Sequence, residues 1–397
     1  MSKTVIHAVA LSFSLTAVGF SLIAAEPSVE ERLKKLEGVV DSLQKENTQL
    51  RKELGYDPKG VAGWLKPAGK PNKVTLGGFI QGQAEFGEAP DARYNGIEDR
   101  IYVRRARLNI QGSFLEYFDF KAEADFGANS ISERGGITPQ LTDGYLNWNR
   151  YEFANVRAGQ FKTPYGYEQL AADTKIPLVE RSLPNDRLTE GRQLGAAVSG
   201  AVLEKRLGYM AGLFNGTAAN TSSNDNDNFL YAARVHGIPL KVPVGNSDLV
   251  WSLGVNGFTS NDRGSTKYFG TFTGERLAWG ADTQVKWGPV EVNAEYLNSY
   301  FNPTVGASFH GQGLALLAAY MILPKQLQGV VRYETFDPMT NVSGDSTDVW
   351  TFGLNYFIKG DDLKLSVNYL IGDRAAAAGF PANDNEGRLL IRAQVVF

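Results

Sequence analysis

From Lys73 to Phe397 the chain alternates apolar and polar residues with a period of two and keeps that rhythm to its last residue. Such a period marks β-strands with one apolar face. The pattern predicts about sixteen strands, over 73–86, 100–114, 117–127, 141–150, 154–162, 192–203, 206–215 and 229–239, then 249–258, 276–287, 290–300, 311–322, 327–336, 347–358, 362–371 and 387–397. In 117–127, Phe118, Phe120, Ala122, Ala124 and Phe126 oppose Asp119, Lys121, Glu123 and Asp125. In the last segment Leu389, Ile391, Ala393, Val395 and Phe397 oppose Arg392 and Gln394. In 100–114 the apolar parity carries Tyr102, Ala106, Leu108, Ile110 and Phe114, and the other parity carries Arg105, Arg107, Asn109, Gln111 and Ser113. Arg104 falls on the apolar parity, so it is expected near a rim or a subunit contact.

The connections sort by length. Tight ones sit near 115–116, 151–152, 204–205, 288–289, 324–325 and 360–361, with a medium one at 241–248. Long polar ones occupy 87–99, 128–140, 163–191, 216–228, 259–275, 301–310, 337–346 and 372–386. A membrane-spanning up-and-down barrel has short turns at one rim and long loops at the other. Strands of about ten residues suit a tilted crossing of the bilayer. The predicted fold class is therefore all-β, a transmembrane antiparallel β-barrel over 73–397. Apolar faces of Ala, Gly, Leu and Val with aromatic ends suit lipid, which puts the charged parity in the lumen. Sixteen strands enclose more space than side chains fill, leaving a water channel. Expected channel-lining residues are Arg105, Arg107, Lys121, Arg157, Arg234, Arg332, Lys364 and Arg392, with Asp119 and Glu123 among the opposing carboxylates.

The N-terminal region follows a different period. Val29, Leu36, Leu43 and Leu50 repeat every seven residues, as do Leu33, Val40, Asn47 and Leu54. This predicts a coiled coil over 26–56 with Leu33, Leu36, Val40, Leu43, Asn47 and Leu50 in its core, Asn47 acting on register and oligomer number. A linker follows at 57–72. Residues 1–25 combine Lys3, an apolar run and a close on Ala24–Ala25, the form of an export signal. A membrane anchor is the alternative, although the run barely reaches the ~18–20 residues of a spanning helix. The expected location is the outer membrane of a Gram-negative-type bacterium, with the N-terminal segment in the periplasm.

Composition narrows the chemistry. A net charge of −3 gives no basic domain for nucleic acid. The chain has no cysteine and three scattered histidines, so neither a metal site nor a cofactor is expected. Asp119 and Glu123 are spaced as an acid–base pair, but no nucleophile–histidine set accompanies them and no enzymatic activity is predicted. Two other readings stay open: an exported soluble lectin- or glycosidase-like β-domain, and a barrel that tethers the envelope through its coiled coil.

The stretches "FIQGQAEFG", "YVRRARLNIQG" and "VRAGQFKTPYGYEQL…ERSLPNDRLTEGRQLG", with the terminal Phe397, resemble the phosphate-selective porin O/P family over residues 73–397. The resemblance implies an outer-membrane homotrimer of sixteen-stranded barrels, in some members with a periplasmic coiled coil. It also implies a C-terminal assembly signal, Phe397, read by the barrel-assembly machinery. Loop 163–191 would fold inward as a constriction, and Lys162, Glu168, Asp173, Lys175, Glu180, Arg181, Arg187 and Arg192 are its candidate charged residues. The expected function is passive diffusion of small hydrophilic solutes. Arg105, Arg107 and Arg157 would then form a cationic wall that attracts phosphate-like anions. The competing arrangement is a wall of screened ion pairs.

Overall fold

The computed structural model describes residues 29–53, 73–128, 130–132, 138–264, 271–374 and 383–397. The expected export segment at 1–25 and linker at 57–72 lie outside them. The chain divides into two units, Met1–Lys66 and Pro67–Phe397. The first contains α1 (Val29–Glu53), on which Leu33, Leu36, Val40 and Leu43 are all exposed. Asn47 and Leu50 lie on the same helix.

The second unit is a closed antiparallel barrel of sixteen strands, each paired with its neighbours in sequence and the first with the last. The strands are β1 (Lys73–Gly87), β2 (Arg100–Phe114), β3 (Phe118–Asp125), β4 (Gln140–Tyr151), β5 (Ala154–Lys162), β6 (Arg192–Val202), β7 (Leu207–Phe214) and β8 (Leu230–Val244). They continue with β9 (Ser247–Gly264), β10 (Phe272–Trp287), β11 (Val290–Pro303), β12 (Phe309–Leu323), β13 (Leu327–Asp337), β14 (Thr347–Lys359), β15 (Leu363–Arg374) and β16 (Asn383–Val396). Two short helices, α2 (Tyr167–Leu170) and α3 (Leu183–Leu188), lie between β5 and β6. Closure satisfies the backbone groups that lipid would leave without partners. Gly78 and Phe397 exchange N–H···O bonds of 2.9 and 3.0 Å, so the terminal residue completes the seam.

Loop lengths alternate as expected. The medium connection at 241–248 tightens to a two-residue hairpin at 245–246, and β9 and β10 extend into the expected 259–275 loop. Sidedness also agrees. Trp279 is 52% exposed on the outer wall, whereas Arg107 is 8% exposed inside. The membrane side is thus lined by exposed apolar residues, and the buried charges of the strands face the lumen.

One strand corrects the simple alternation. Gln81 pairs with Arg105 and Gly82 with Val103, so Arg104 is an extra, bulged residue on β2. A bulge shifts the parity of everything beyond it. Arg104 and Tyr102, expected on the membrane side, therefore both turn inward. Arg104 is buried against Glu180, and Tyr102 donates to Glu85 Oε1 at 2.6 Å.

Candidate functional site

Loop 163–191 does fold into the lumen, and two kinds of contact hold it there. Tyr165 is fully buried, 4.9 Å edge-on from Phe258, with its hydroxyl within hydrogen-bond reach of the Trp279 and Asn298 carbonyls. Leu183 and Leu188 of α3 join Phe161, Phe214, Leu230, Phe258 and Leu297 in one apolar cluster. Each such side chain contributes roughly 1.5–3 kcal/mol by leaving water. Small wall residues admit the loop. A Cβ at Gly313 would lie 2.5 Å from Pro184, and one at Gly353 would lie 2.6 Å from Leu178. Local geometry comes from polar groups. The Ser182 hydroxyl accepts from Asn185 N to cap α3 and donates to Glu168 Oε2 at 2.6 Å. Glu295 accepts from the backbone amides of Tyr167 and Glu168 and from Asn185 Nδ2.

The other half of the loop is anchored by charge. Asp173 receives Arg107 and Arg181, each at 2.6 Å, with Arg105 at 3.7 Å. Glu180 receives Arg104 at 2.8 Å, Arg105 at 3.4 Å, and Arg392. Burial would raise both carboxyls. The arginines around each outweigh it and hold both well below the ordinary carboxylate range. Arg332 bridges Glu168 and Glu334 and also donates to the Glu180 carbonyl. Lys364 donates to the Thr174 carbonyl and Asp361, and Asn355 donates to Pro177 O. Loop 88–99 enters from the same end: Arg93 pairs with Asp91 at 2.7 Å and donates to Arg181 O at 2.8 Å.

Every expected channel-lining residue faces the lumen, but the expected cationic wall does not form. Arg105 and Arg107 are already neutralised by Asp173, Glu180, Glu123 and Asp125. Arg157 stands apart, its guanidinium 4.3 Å from the Tyr145 ring centroid. The ion-paired arrangement is the one present. Lys121 bridges Glu123 and Asp143, Arg192 pairs with Asp143 at 2.7 Å, and Arg234 makes a two-pronged contact with Asp282. Asp119 accepts from Ser113 and Asn149, so Asp119 and Glu123 are both engaged in wall contacts rather than with each other.

Three cations on the loop or its stems escape this pairing. Lys162, at the end of β5, has among the described residues one hydrogen bond, to the Ala171 carbonyl at 2.8 Å. Arg181 donates to the same oxygen at 3.0 Å. Lys175 is exposed and Arg187 half-buried on α3, neither in an ion pair among the described residues. Sequence reasoning missed Arg276, which binds Asp262 and Glu190, and Arg388, which binds Glu85. Strand parity carried a signal for both. Arg276 shares the lumenal parity of Asp282, and Arg388 that of Arg392.

The profile of the family described as "Phosphate-selective porin O and P" matches residues 74–397. An uncharacterized protein of Aquifex aeolicus (strain VF5) is 24% identical over 348 residues, covering 74% of this chain and 81% of its own. The anion-selective porin of Comamonas acidovorans superposes with a TM-score of 0.57 at 12% identity, over 82% of this chain and 100% of its own. The outer membrane channel DcaP of Acinetobacter baumannii gives 0.54 at 15% identity, over 84% and 99%. The trimer form of OmpT, an outer membrane protein of Vibrio cholerae, gives 0.56 at 11%, over 83% and 100%. At these identities the structural likenesses speak for the fold.

Proposed function

Because this chain belongs to the phosphate-selective porin O and P family, we propose that its outer-membrane channel for passive diffusion of small hydrophilic solutes prefers anions. The observation that carries this preference is the convergence of Lys162 and Arg181 on the single carbonyl of Ala171. Two cations share one neutral acceptor there. Arg181 has Asp173 as counter-ion, and Asp173 is shared with Arg107. Lys162 therefore keeps hydrogen-bond donors beyond that one carbonyl, and with the exposed Lys175 and half-buried Arg187 it offers them to a passing anion. The similar Comamonas acidovorans protein is anion-selective, which supports the same reading. Reversal potential across a KCl gradient in planar bilayers tests it. Anion preference is expected, and cation preference overturns it.

The exposed Leu33, Leu36, Val40 and Leu43 stripe on α1 favours self-association, as a periplasmic coiled coil that joins three barrels. Phe397 would then serve the barrel-assembly machinery as its recognition signal. Deleting residues 26–56 separates trimerisation from envelope tethering, since a pure trimerisation device leaves envelope attachment unchanged.

A further inference from the structure

Beneath the docked loop, toward the short turns, lies a cavity of about 750 Å³. Its size falls within the ~300–1,000 Å³ of small-molecule sites. One side is apolar, formed by Ile176 and Pro177 of the loop with Leu317, Met321 and Phe357 of the wall. The other carries charges, and nearly all of them are already committed. Glu295 is held by two backbone amides and Asn185, and Glu168 by Ser182 and Arg332. Asp361 pairs with Lys364, and Glu291 with Lys286. Two charges remain, Lys175 from the loop and Lys325 from the turn after β12. Neither has a hydrogen bond or ion pair among the described residues. Both are positive.

An apolar wall with two uncommitted ammonium groups selects a particular chemistry. A small inorganic anion would satisfy the lysines and leave the apolar wall wet. An apolar cation would cover the wall and meet like charge. We propose that the cavity binds an amphipathic carboxylate, an aryl- or alkyl-alkanoate, with its body along Ile176, Met321 and Phe357 and its carboxylate at Lys175 and Lys325. The proposal rests on the channel reading for the route by which such a solute arrives. It adds a substrate class that the Lys162 site does not specify.

Calorimetric titration of the full chain, folded in detergent, tests this with 4-phenylbutanoate, butanoate and 4-phenylbutylammonium, each referenced to empty micelles. Saturable binding of one 4-phenylbutanoate per chain is expected, at least about ten-fold tighter than either comparison compound. Lys175→Gln combined with Lys325→Gln should weaken it about ten-fold, and Met321→Gln alone by a few-fold. Equal affinity for butanoate, tighter binding of the ammonium compound, or an affinity unchanged in the double lysine variant overturns the proposal, as does the lack of heat above the micelle reference. KCl conductance of the same preparation reports on the channel independently. Conductance without binding overturns only this inference. Binding without conductance supports it while removing the open-channel reading.

Discussion

Along β16, β1, β2 and β3 the lumenal positions that meet the loop are mostly polar, among them Arg392, Gln81, Gln83, Arg105, Arg107, Glu123 and Asp125, whereas along β7 to β12 a cluster of Phe214, Leu230, Ala232, Phe258, Ala278 and Leu297 is interleaved with the pairs Arg234–Asp282 and Arg276–Asp262. One loop lies against both. On the first side its Asp173 and Glu180 each meet three arginines, so direction and register are set by charge-assisted bonds. On the second, Tyr165, Leu183 and Leu188 fill apolar hollows, and shape sets the depth. The two chemistries should fail differently. Loss of one carboxylate strands several buried guanidinium groups together. Loss of one leucine leaves a single local void.

The largest expected effect comes from the charged side. Asp173→Asn removes the counter-ion shared by Arg107 and Arg181 while leaving the barrel ladder intact. Breaking such a buried pair costs on the order of 3–5 kcal/mol. That loss should appear as protease cleavage within 163–191 and as a noisier, larger single-channel conductance. A protected loop in this variant would mean that apolar packing alone holds it. On the other side, Leu183→Ala should cost about 2–5 kcal/mol through lost transfer and a cavity. It should raise hydrogen exchange around α3 while leaving selectivity unchanged. A selectivity change in Leu183→Ala would show that the two anchors are coupled, and the comparison would collapse.

The same contrast explains what the sequence revealed. Strand count, loop sorting and inward charges were all readable, because alternation is strict wherever one face meets lipid and the other water or polar groups. On β12, by contrast, Leu314, Leu316, Ala318 and Tyr320 alternate with Ala315, Leu317 and Ala319, and both faces are apolar. Part of the inner face there packs on the loop, Leu317 and Ala319 clustering with Leu178, so hydropathy cannot tell inside from outside. The bulge at Arg104 is invisible for a different reason: it exists only relative to the pairing partner β1. Pairing of Asp173 with Arg107 joins residues 66 apart in sequence, and no local pattern encodes it. Gly313 and Gly353 were a signal left unused, marking where the loop presses on the wall.

A smaller effect is expected at Lys162, which stands between the two sides. Lys162→Gln retains a donor to Ala171 O and removes an amine that has no ion pair among the described residues. The ratio of anion to cation permeability should fall roughly two- to five-fold, the scale of one charge acting through water at contact distance. Reversal potentials in a salt gradient read this directly. An unchanged ratio would move the selectivity determinant to Lys175 or Arg187.

Mild acid should do least of all. Asp173 and Glu180 have folded-state pKa values depressed below their unfolded ones. Their contribution to loop docking is therefore fully present above the ordinary carboxylate value of about 4 and is lost only as pH falls through the depressed values. The guanidinium groups paired with Asp173, those of Arg105, Arg107 and Arg181, belong to a residue type that stays charged throughout this range. Protease protection of 163–191 and single-channel conductance should thus be the same at pH 5 as at pH 7. A midpoint between those values would mean that a group other than the two clamped carboxylates decides whether the loop stays down. In that event the charged side would no longer be the firmer of the two anchors.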